Sequence, residues 1–318
     1  MKNKINLLYI TRDDSKYIVP ASVYFIKELS KVIDLKVSHE SGHIEDVIMN
    51  SKMNPDFIFI NDYGENGSPN ITGLKDLKIP FAVGLHDLHY NYPNRKQNLL
   101  EEEIKFIFTY YRDKFLAWYP EFSSNMKWLP HHVNTDIFYD YNLKKDTDLL
   151  MIGSMLEAFY PLRINILKRF EGRPGFTYHR HPGYKNITQK DKEVFVGMEY
   201  AMEINKSKIF LTCDSIHKYP LMKYYEVTAC NSLLLAPLSD ELLDLGFIPG
   251  VNFVSIDEND FEEKAYYYLQ NEEERKIISC NGMKMSHKKH STKKRVLEFI
   301  KIIEDILEDE KLQNKNPH

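Results

Sequence analysis

Short apolar runs alternate with segments of helical spacing along this chain, and this alternation limits the possible folds more than any other feature. Ile5–Ile10 is a continuous apolar run of the kind that is buried on both faces of a sheet, and Val23–Val32 then has helical spacing. Extended runs return at Leu35–Val37 and Asp56–Ile60. Strands that alternate with helices build parallel sheets covered by helices. The sequence therefore predicts an α/β protein.

A polar stretch, Tyr139–Asp148, separates two such series. The first series ends with predicted strands at Phe81–Leu85, Ile104–Thr109 and Met126–Leu129. The second series has predicted strands at Asp148–Ile152, Phe176–His179, Ile209–Thr212, Ser232–Ala236 and Phe253–Ile256, followed by a helix at Val296–Leu307. A length of 318 residues suits two domains of ordinary size. We predict a first domain at residues 1–143, a second at 144–295 and a terminal helix within 296–318.

Composition indicates a folded protein with no general affinity for nucleic acid. Hydrophobic residues make up 43% of the chain and aromatic residues 13%, which supports sizeable cores. The formal charge of −4 gives no reason to expect nucleic-acid binding. One basic cluster, Lys284–Arg295, favours a solvated face beside a helix, with an anionic acceptor or a peripheral membrane contact as the alternative.

The cysteines and the N-terminal segment both fit a cytoplasmic protein. The chain has three widely spaced cysteines, a number and spacing that indicate neither a disulfide framework nor a thiolate metal site. The apolar run Ile5–Ile10 is too short for a membrane span and is predicted to be the first strand instead of a signal peptide.

The segment after Pro220 carries a charged pair on a predicted helix. Lys223 and Glu226 are three residues apart and therefore lie side by side near the N-terminus of that helix. A lysine and backbone amides at a positive helix end suit phosphate, and a glutamate suits ribose hydroxyls. The alternative is an ordinary surface ion pair.

Two further strand ends of the second series carry polar residues, and ligands of open α/β sheets bind at such ends. The strand before Gly153 and Ser154 stops at a glycine that lets a ligand approach the backbone, and Arg163 follows in the first turn of a helix. An ordinary turn with a surface arginine is the alternative. After the next strand, Arg180 and His181 are candidates for the nucleotide-base end of a site; a structural polar loop is the alternative, and a metal held by His179 and His181 lacks an evident third ligand.

Several motifs resemble those of one enzyme group. Glu226–Asn231 resembles the E-A-M-A-C-G segment of retaining GT-B glycosyltransferases of the GT4-like group. Leu85–Leu88 resembles the histidine motif of that group's first domain, and Trp128–Phe138 resembles the crossing into its second domain. The resemblance to the spore-maturation CgeB-like branch is the closest and lies between residues 205 and 295. Its features there are Gly246–Gly250, Asn271–Arg275 and the pair His290 and Arg295.

The resemblance implies a GT-B fold, in which two Rossmann-like domains face each other across a cleft. The first domain is then the acceptor side, the second domain binds the nucleotide sugar, and the terminal helix packs back toward the first domain. The implied enzyme is a retaining, metal-independent transferase of the hexosyltransferase type. It needs no cofactor besides its nucleotide-diphosphate sugar donor, and its acceptor (a glycan, a protein or another molecule) is open.

The resemblance also implies roles for individual residues. The donor would be bound by Gly153, Ser154, Arg163, Arg180, His181, His217, Lys218, Lys223 and Glu226. Related enzymes often have an arginine where this chain has Ser154, and a first glutamate where it has Lys218, for which Asp214 or His217 is a substitute. His86 would contact the transferred sugar, and Asp87 would orient His86 or the acceptor. Two rival functions remain: a non-catalytic sugar-nucleotide-binding protein and a sugar-nucleotide epimerase of the same fold.

Overall fold

The computed structural model of the chain describes residues 4–188, 191 and 194–315. These residues form two compact units. Unit 1 takes the described residues of the ranges Met1–Asp14, Val23–Pro130 and Arg295–His318, and unit 2 takes those of Ser15–Ser22 and His131–Lys294. No helix within the described ranges combines the length and the apolar composition needed to cross a bilayer.

Unit 1 is built on a six-stranded parallel sheet with the order β2-β1-β4-β6-β7-β8. Its strands are β1 (Asn6–Ile10), β2 (Asp34–Ser38), β4 (Phe57–Ile60), β6 (Phe81–Leu85), β7 (Ile107–Thr109) and β8 (Met126–Trp128), and a separate two-stranded sheet pairs β3 (Gly42–His43) with β5 (Ile71–Thr72). The helices among them are α1 (Ala21–Leu29), α2 (Ile44–Ser51), α3 (Tyr92–Glu101), α4 (Arg112–Trp118) and a 3-10 helix at Pro120–Asn125.

Unit 2 is built on a five-stranded parallel sheet with the order β10-β9-β11-β12-β13. Its strands are β9 (Thr147–Gly153), β10 (Phe176–Arg180), β11 (Ser207–Leu211), β12 (Leu233–Ala236) and β13 (Val254–Ser255). Its helices are α5 (Pro161–Phe170), α6 (Met198–Asn205), α7 (Met222–Ala229), α8 (Asp240–Asp244), α9 (Phe261–Gln270) and α10 (Glu272–Lys289), and α11 (Thr292–Lys315) ends the described chain. The α/β class and the parallel sheets predicted from the sequence are confirmed.

The last helix, α11, is part of the core of unit 1. Val296, Phe299, Ile303 and Ile306 recur at helical spacing and are all buried there. The Phe299 ring lies 5.0 Å from that of Phe59 and packs edge to face against it. Such an aromatic contact stabilises a core by more than the burial of its apolar area alone.

The segment between residues 131 and 143, which we had assigned to the first domain, lies with unit 2. Backbone hydrogen bonds join Val133 to His290 and Thr292, each with an N–O distance of 2.9 Å. The Asn205 side chain donates to the carbonyl of Tyr139 and accepts from the amide of Tyr141. The Val133 bonds attach the chain to unit 2 before the polar stretch, and the Asn205 bonds hold the start of that stretch there. The roles of the two units toward acceptor and donor stay predictions.

Strand β7 is shorter than the sequence indicated. We predicted a strand at Ile104–Thr109, but β7 begins only at Ile107. The Ile104 amide donates to the Leu99 carbonyl at 3.0 Å, and Glu103 before it has a φ of 49°. Residues 103 and 104 therefore terminate α3. The apolar Ile104 resembles a strand residue in sequence, and its role at the end of a helix cannot be recognised from the pattern alone.

Candidate functional site

Each sheet has one point at which the strand order reverses direction, and loops diverge there to leave a crevice at the carboxyl ends of the strands. In unit 2 this point lies between β9 and β11, where Gly153 ends one strand and Thr212 follows the other. In unit 1 this point lies between β1, which is followed by Thr11, and β4, which is followed by Asn61 and Asp62. Several of the predicted site residues lie near these two points.

Arg163 spans the crevice of unit 2. Its guanidinium donates to the Ser154 carbonyl at 2.7 Å, and to the Thr212 hydroxyl and the Cys213 carbonyl at 3.4 Å each. A Cβ added to Gly153 would lie 2.8 Å from the Arg163 Nη1 atom, so a larger residue at position 153 would displace the guanidinium. Arg163 is buried. The alternative of a surface arginine is wrong.

Two further basic side chains converge on Arg163. Lys223 is the second residue of α7, and burial together with the neighbouring charge of Arg163 lowers its pKa to about 8. His181 follows β10, and burial together with the charges of Lys223 and Arg163 lowers its pKa to about 4. Within the described part of the chain, neither Arg163 nor Lys223 forms an ion pair. The crevice therefore holds positive charge that no carboxylate neutralises by direct contact.

Glu226 lies one helical turn beyond Lys223 and is buried. Burial raises the pKa of Glu226 to about 7, although the Lys223 charge and the nearby Tyr200 phenol act in the opposite direction. The ammonium of Lys223 forms no ion pair with the Glu226 carboxylate, both residues being described. The pair is therefore not the surface ion pair that the spacing alone allowed. We name Arg163, His181, Lys223 and Glu226 the Arg163 cluster.

The other predicted residues of unit 2 are more dispersed. Ser154 contributes its carbonyl to Arg163, whereas the Arg180 side chain is exposed at the end of β10. His217 lies against the Phe159 and Tyr219 rings. Lys218 is exposed in a left-handed turn with a φ of 56°. A role of these four residues in donor binding stays a prediction.

Asp214, considered as a substitute for the missing first glutamate, lies close to the Arg163 cluster. Burial raises its pKa to about 6, while the charges of Lys218 and Arg163 act to lower it. A carboxylate here is near the crevice but next to cations, which suits contact with the neutral hydroxyls of a ligand.

In unit 1, His86 follows β6 and contacts residues from the two neighbouring strands. Its Nδ1 atom pairs with Oδ1 of Asp62, which follows β4. Its ring stacks on Tyr110, which follows β7, with the centroids 4.1 Å apart. Burial alone would lower the pKa of His86, but the Asp62 carboxylate and its hydrogen bond raise it above its usual value, with smaller contributions from Glu65 and Asp87. We name Asp62, Glu65, His86 and Tyr110 the His86 cluster.

Neither Glu65, a member of this cluster, nor the adjacent Asp87 forms a hydrogen bond or ion pair with the imidazole, all three residues being described. Glu65 accepts hydrogen bonds from the Asp87 amide at 3.0 Å and from the buried Arg95 guanidinium at 3.4 Å. Burial raises the pKa of Glu65 to about 7. Asp87 is exposed, so the carboxylate that holds His86 is Asp62 instead. Contact of Asp87 with an acceptor stays a prediction.

Sequence reasoning missed Asp62, Glu65, Tyr110 and Tyr200. Asp62 has a φ of 52°, a backbone strain that proteins concentrate at functional sites, but a backbone angle cannot be read from the sequence. A usable signal existed, since Asp62 follows a buried strand by only two residues. Among the described residues, no three His, Cys, Asp or Glu side chains are grouped as metal ligands would be.

Several solved structures have the same architecture, a glycosyltransferase among them. The structure of HepE from Anabaena in complex with UDP and glucose aligns with a TM-score of 0.62 and 10% identity, covering 94% of this chain and 99% of HepE. A glycosyltransferase from Rickettsia africae aligns with a TM-score of 0.62 and 11% identity over 96% of this chain and 99% of its own. The chain has the GT-B fold. Sucrose-phosphate synthase from Thermosynechococcus elongatus also aligns, with a TM-score of 0.57 and 11% identity over 83% of this chain and 77% of its own.

A comparison of the sequence with protein families finds a match over one part of the chain. Residues 159–301 match a family model described as Glycosyl transferase-like. All four members of the Arg163 cluster lie within that segment, most of which belongs to unit 2. A search of curated proteins finds no match.

Proposed function

We propose that this protein is a glycosyltransferase that moves a sugar of the hexose type from a nucleotide-diphosphate sugar to an acceptor. Unit 2 binds the donor and unit 1 binds the acceptor. Following the resemblance noted in the sequence, we further propose retention of configuration, no metal requirement, a cytoplasmic location and membership of the CgeB-like branch.

The observation that carries the proposal is the positive charge of Arg163 and Lys223, neither of which forms an ion pair with any described residue. Two buried or half-buried cations without an ion pair are costly to maintain, and such cost is typical of a site built for a charged ligand. A diphosphate supplies the missing negative charge, and the N-terminus of α7 adds backbone donors aimed at it. HepE, a protein with the same fold, was crystallised with UDP and with UDP-glucose.

Each member of the cluster has a role in this proposal. Arg163 and Lys223 bind the diphosphate and stabilise the negative charge that develops on it as the sugar leaves. Glu226 accepts hydrogen bonds from the ribose hydroxyls, because a buried carboxylate beside cations is a strong acceptor. Gly153 keeps the backbone close to the ligand. His181 and the exposed Arg180 lie toward the base.

In unit 1, His86 reaches the acceptor or the transferred sugar. Its side chain is 22% exposed, enough for contact with a ligand, and its Nδ1 atom is already engaged by Asp62. The chemistry that the two clusters supply is complementary: one stabilises a leaving phosphate, and the other offers an imidazole to a hydroxyl.

The proposal is tested by incubating the protein with a panel of UDP-, GDP-, ADP- and dTDP-sugars and measuring the nucleoside diphosphate released, first to water and then to acceptor extracts. The wild type should release diphosphate from at least one donor, and Lys223→Met should reduce the rate at least tenfold. Lys168→Met is the matched control, because Lys168 is exposed on α5 in the same unit. Binding of a donor without any release would instead favour the non-catalytic sugar-nucleotide-binding protein.

A further inference from the structure

The loop between α8 and β13 packs against the C-terminal half of α10 in unit 2. The Asn281 side chain of α10 donates to the Val251 carbonyl of the loop at 3.0 Å. A Cβ added to Gly282 would lie 2.5 Å from the Asn252 carbonyl oxygen, so the loop backbone rests directly on the helix. We name residues 243–252 and 277–289 the loop–α10 surface.

Large apolar side chains are exposed on the loop–α10 surface. Leu243, Ile248, Val251 and Ile277 are each between 42% and 61% exposed. The Val251 amide donates to the Ile248 carbonyl at 3.1 Å, so these two residues flank one tight turn. Ile277 lies one helical turn before Asn281, the residue that holds Val251. Exposed apolar side chains that stand alone are common, but a contiguous group marks an interaction site.

Three exposed lysines border these apolar side chains. Lys284 and Lys288 follow Ile277 by seven and eleven residues, which places all three on one stripe of α10. The Lys289 ammonium lies beside Gly246 of the loop, 2.7 Å from where a Cβ of that glycine would be. Among the described residues, none forms an ion pair with any of the three lysines.

The charge of the loop–α10 surface differs in sign from that of the whole chain. Its helical part, residues 277–289, has no acidic residue, and its loop part has one, Asp244. The chain as a whole carries a formal charge of −4. Basic side chains around exposed apolar ones are the pattern by which proteins bind the surface of an anionic membrane. The charge and the apolar side chains of this surface are therefore complementary to such a membrane.

We propose that the loop–α10 surface binds a membrane that contains anionic lipids. The apolar side chains enter the boundary between headgroups and acyl chains, and the lysines extend beside them with their ammonium groups at the phosphates. A membrane is a better occupant than an acidic protein, because apolar side chains on a tight turn enter lipid singly, whereas a protein would have to supply a pocket for each. The sequence left a solvated face or a membrane contact open for the basic cluster at Lys284–Arg295, and the apolar neighbours of its lysines favour the membrane.

This inference goes beyond the proposed function and does not depend on it, because lipid binding is measured without a donor or an acceptor. The first measurement is co-sedimentation of the wild-type protein with vesicles of phosphatidylcholine alone and with vesicles that contain equal amounts of phosphatidylcholine and phosphatidylglycerol. We expect binding to the mixed vesicles at low salt, and loss of most of that binding at high salt, because salt screens the lysine charges.

Two results of this measurement would overturn the proposal. The first is equal binding to both kinds of vesicle, which would remove the role of the lysines. The second is no binding to the mixed vesicles at low salt. If the protein is then retained on immobilised polyglutamate, the loop–α10 surface serves an acidic protein partner instead.

Two double variants locate the binding on the loop–α10 surface. Lys284→Gln with Lys288→Gln should weaken binding to the mixed vesicles roughly 20–30-fold, because each lysine near an anionic surface strengthens binding about fivefold. Ile248→Ser with Val251→Ser should weaken it roughly tenfold or more, because the apolar side chains no longer enter the lipid. All four side chains are exposed, so circular dichroism and the urea midpoint should stay as in the wild type.

Matched control variants remove the same kinds of side chain elsewhere. Lys36→Gln with Lys168→Gln removes two exposed lysines, and Met49→Ser with Leu100→Ser removes two apolar side chains that are 69% and 59% exposed. Both controls should bind the mixed vesicles as the wild type does. Equal weakening by the controls and by the variants of the loop–α10 surface would show that the binding is not located there, and would overturn the proposal.

Discussion

Glu226→Gln should make the ligand-free protein more stable at alkaline pH while weakening its binding of nucleotide. The glutamine has nearly the same shape but cannot ionise. Glu226 is buried on α7, and its pKa rises from 4.5 to about 7. A group whose folded pKa is raised contributes stability that is complete below pH 4.5 and is lost as the pH rises through about 7.

The magnitude follows from the shift. Each pKa unit corresponds to about 1.4 kcal/mol, so a shift of roughly 2.5 units amounts to about 3 kcal/mol of folding free energy lost at pH 8. Glu226→Gln avoids this loss. Relative to the wild type, the variant should therefore gain about 2–3 kcal/mol between pH 5 and pH 8.

The assay is urea unfolding of wild type and variant at pH 5 and pH 8, with calorimetric titration of the nucleoside diphosphate at pH 8. Binding should weaken tenfold or more, since a hydrogen bond to a charged partner contributes about 1.5–3 kcal/mol. Glu199→Gln, an exposed change on α6, is the control and should alter neither quantity. A stability difference that is the same at both pH values would refute the burial argument, and unchanged affinity would remove Glu226 from the site.

Three further predictions concern Arg163, Gly153 and Phe299. Arg163→Lys should lower the urea midpoint and weaken nucleotide binding, because an ammonium cannot replace the fork that joins Ser154, Thr212 and Cys213. Gly153→Ala should weaken binding at least tenfold with an unchanged circular dichroism spectrum, because the added methyl group displaces the Arg163 guanidinium; normal affinity would show that the guanidinium position is irrelevant. Phe299→Ala should destabilise the protein by about 3–5 kcal/mol in urea unfolding, whereas Leu297→Ala, which is 51% exposed, should have little effect; equal effects would contradict the packing of α11 in unit 1.

The α/β class could be predicted from the sequence because the buried parallel strands are short continuous apolar runs. Phe57–Ile60 and Leu233–Ala236 are buried along their whole length, which makes them visible without any knowledge of their neighbours. The end of α3 was missed for the opposite reason. Ile104 is apolar and buried, yet it closes a helix, and only its hydrogen bond to Leu99 distinguishes that use from a strand.

The candidate site was predictable where its residues are neighbours in sequence or end a strand. Helical spacing indicates that Lys223 and Glu226 lie side by side. The position of Gly153 after an apolar run indicates that it ends a strand. The partnership of His86 with Asp62 joins residues on two strands, and nothing in the local sequence of either indicates the other. Likewise, the position of Arg163 over Gly153 depends on how α5 lies against β9, which is decided by packing.

The most direct test of the account is a calorimetric titration of UDP, GDP, ADP and dTDP onto the wild-type protein, Arg163→Met and Lys168→Met. The central claim is that the Arg163 cluster binds the diphosphate of a sugar donor. The account predicts that at least one nucleoside diphosphate binds the wild type and the Lys168 variant equally, and binds the Arg163 variant at least tenfold more weakly. Binding of none of the four to the wild type, or equal binding to all three folded proteins, would contradict it.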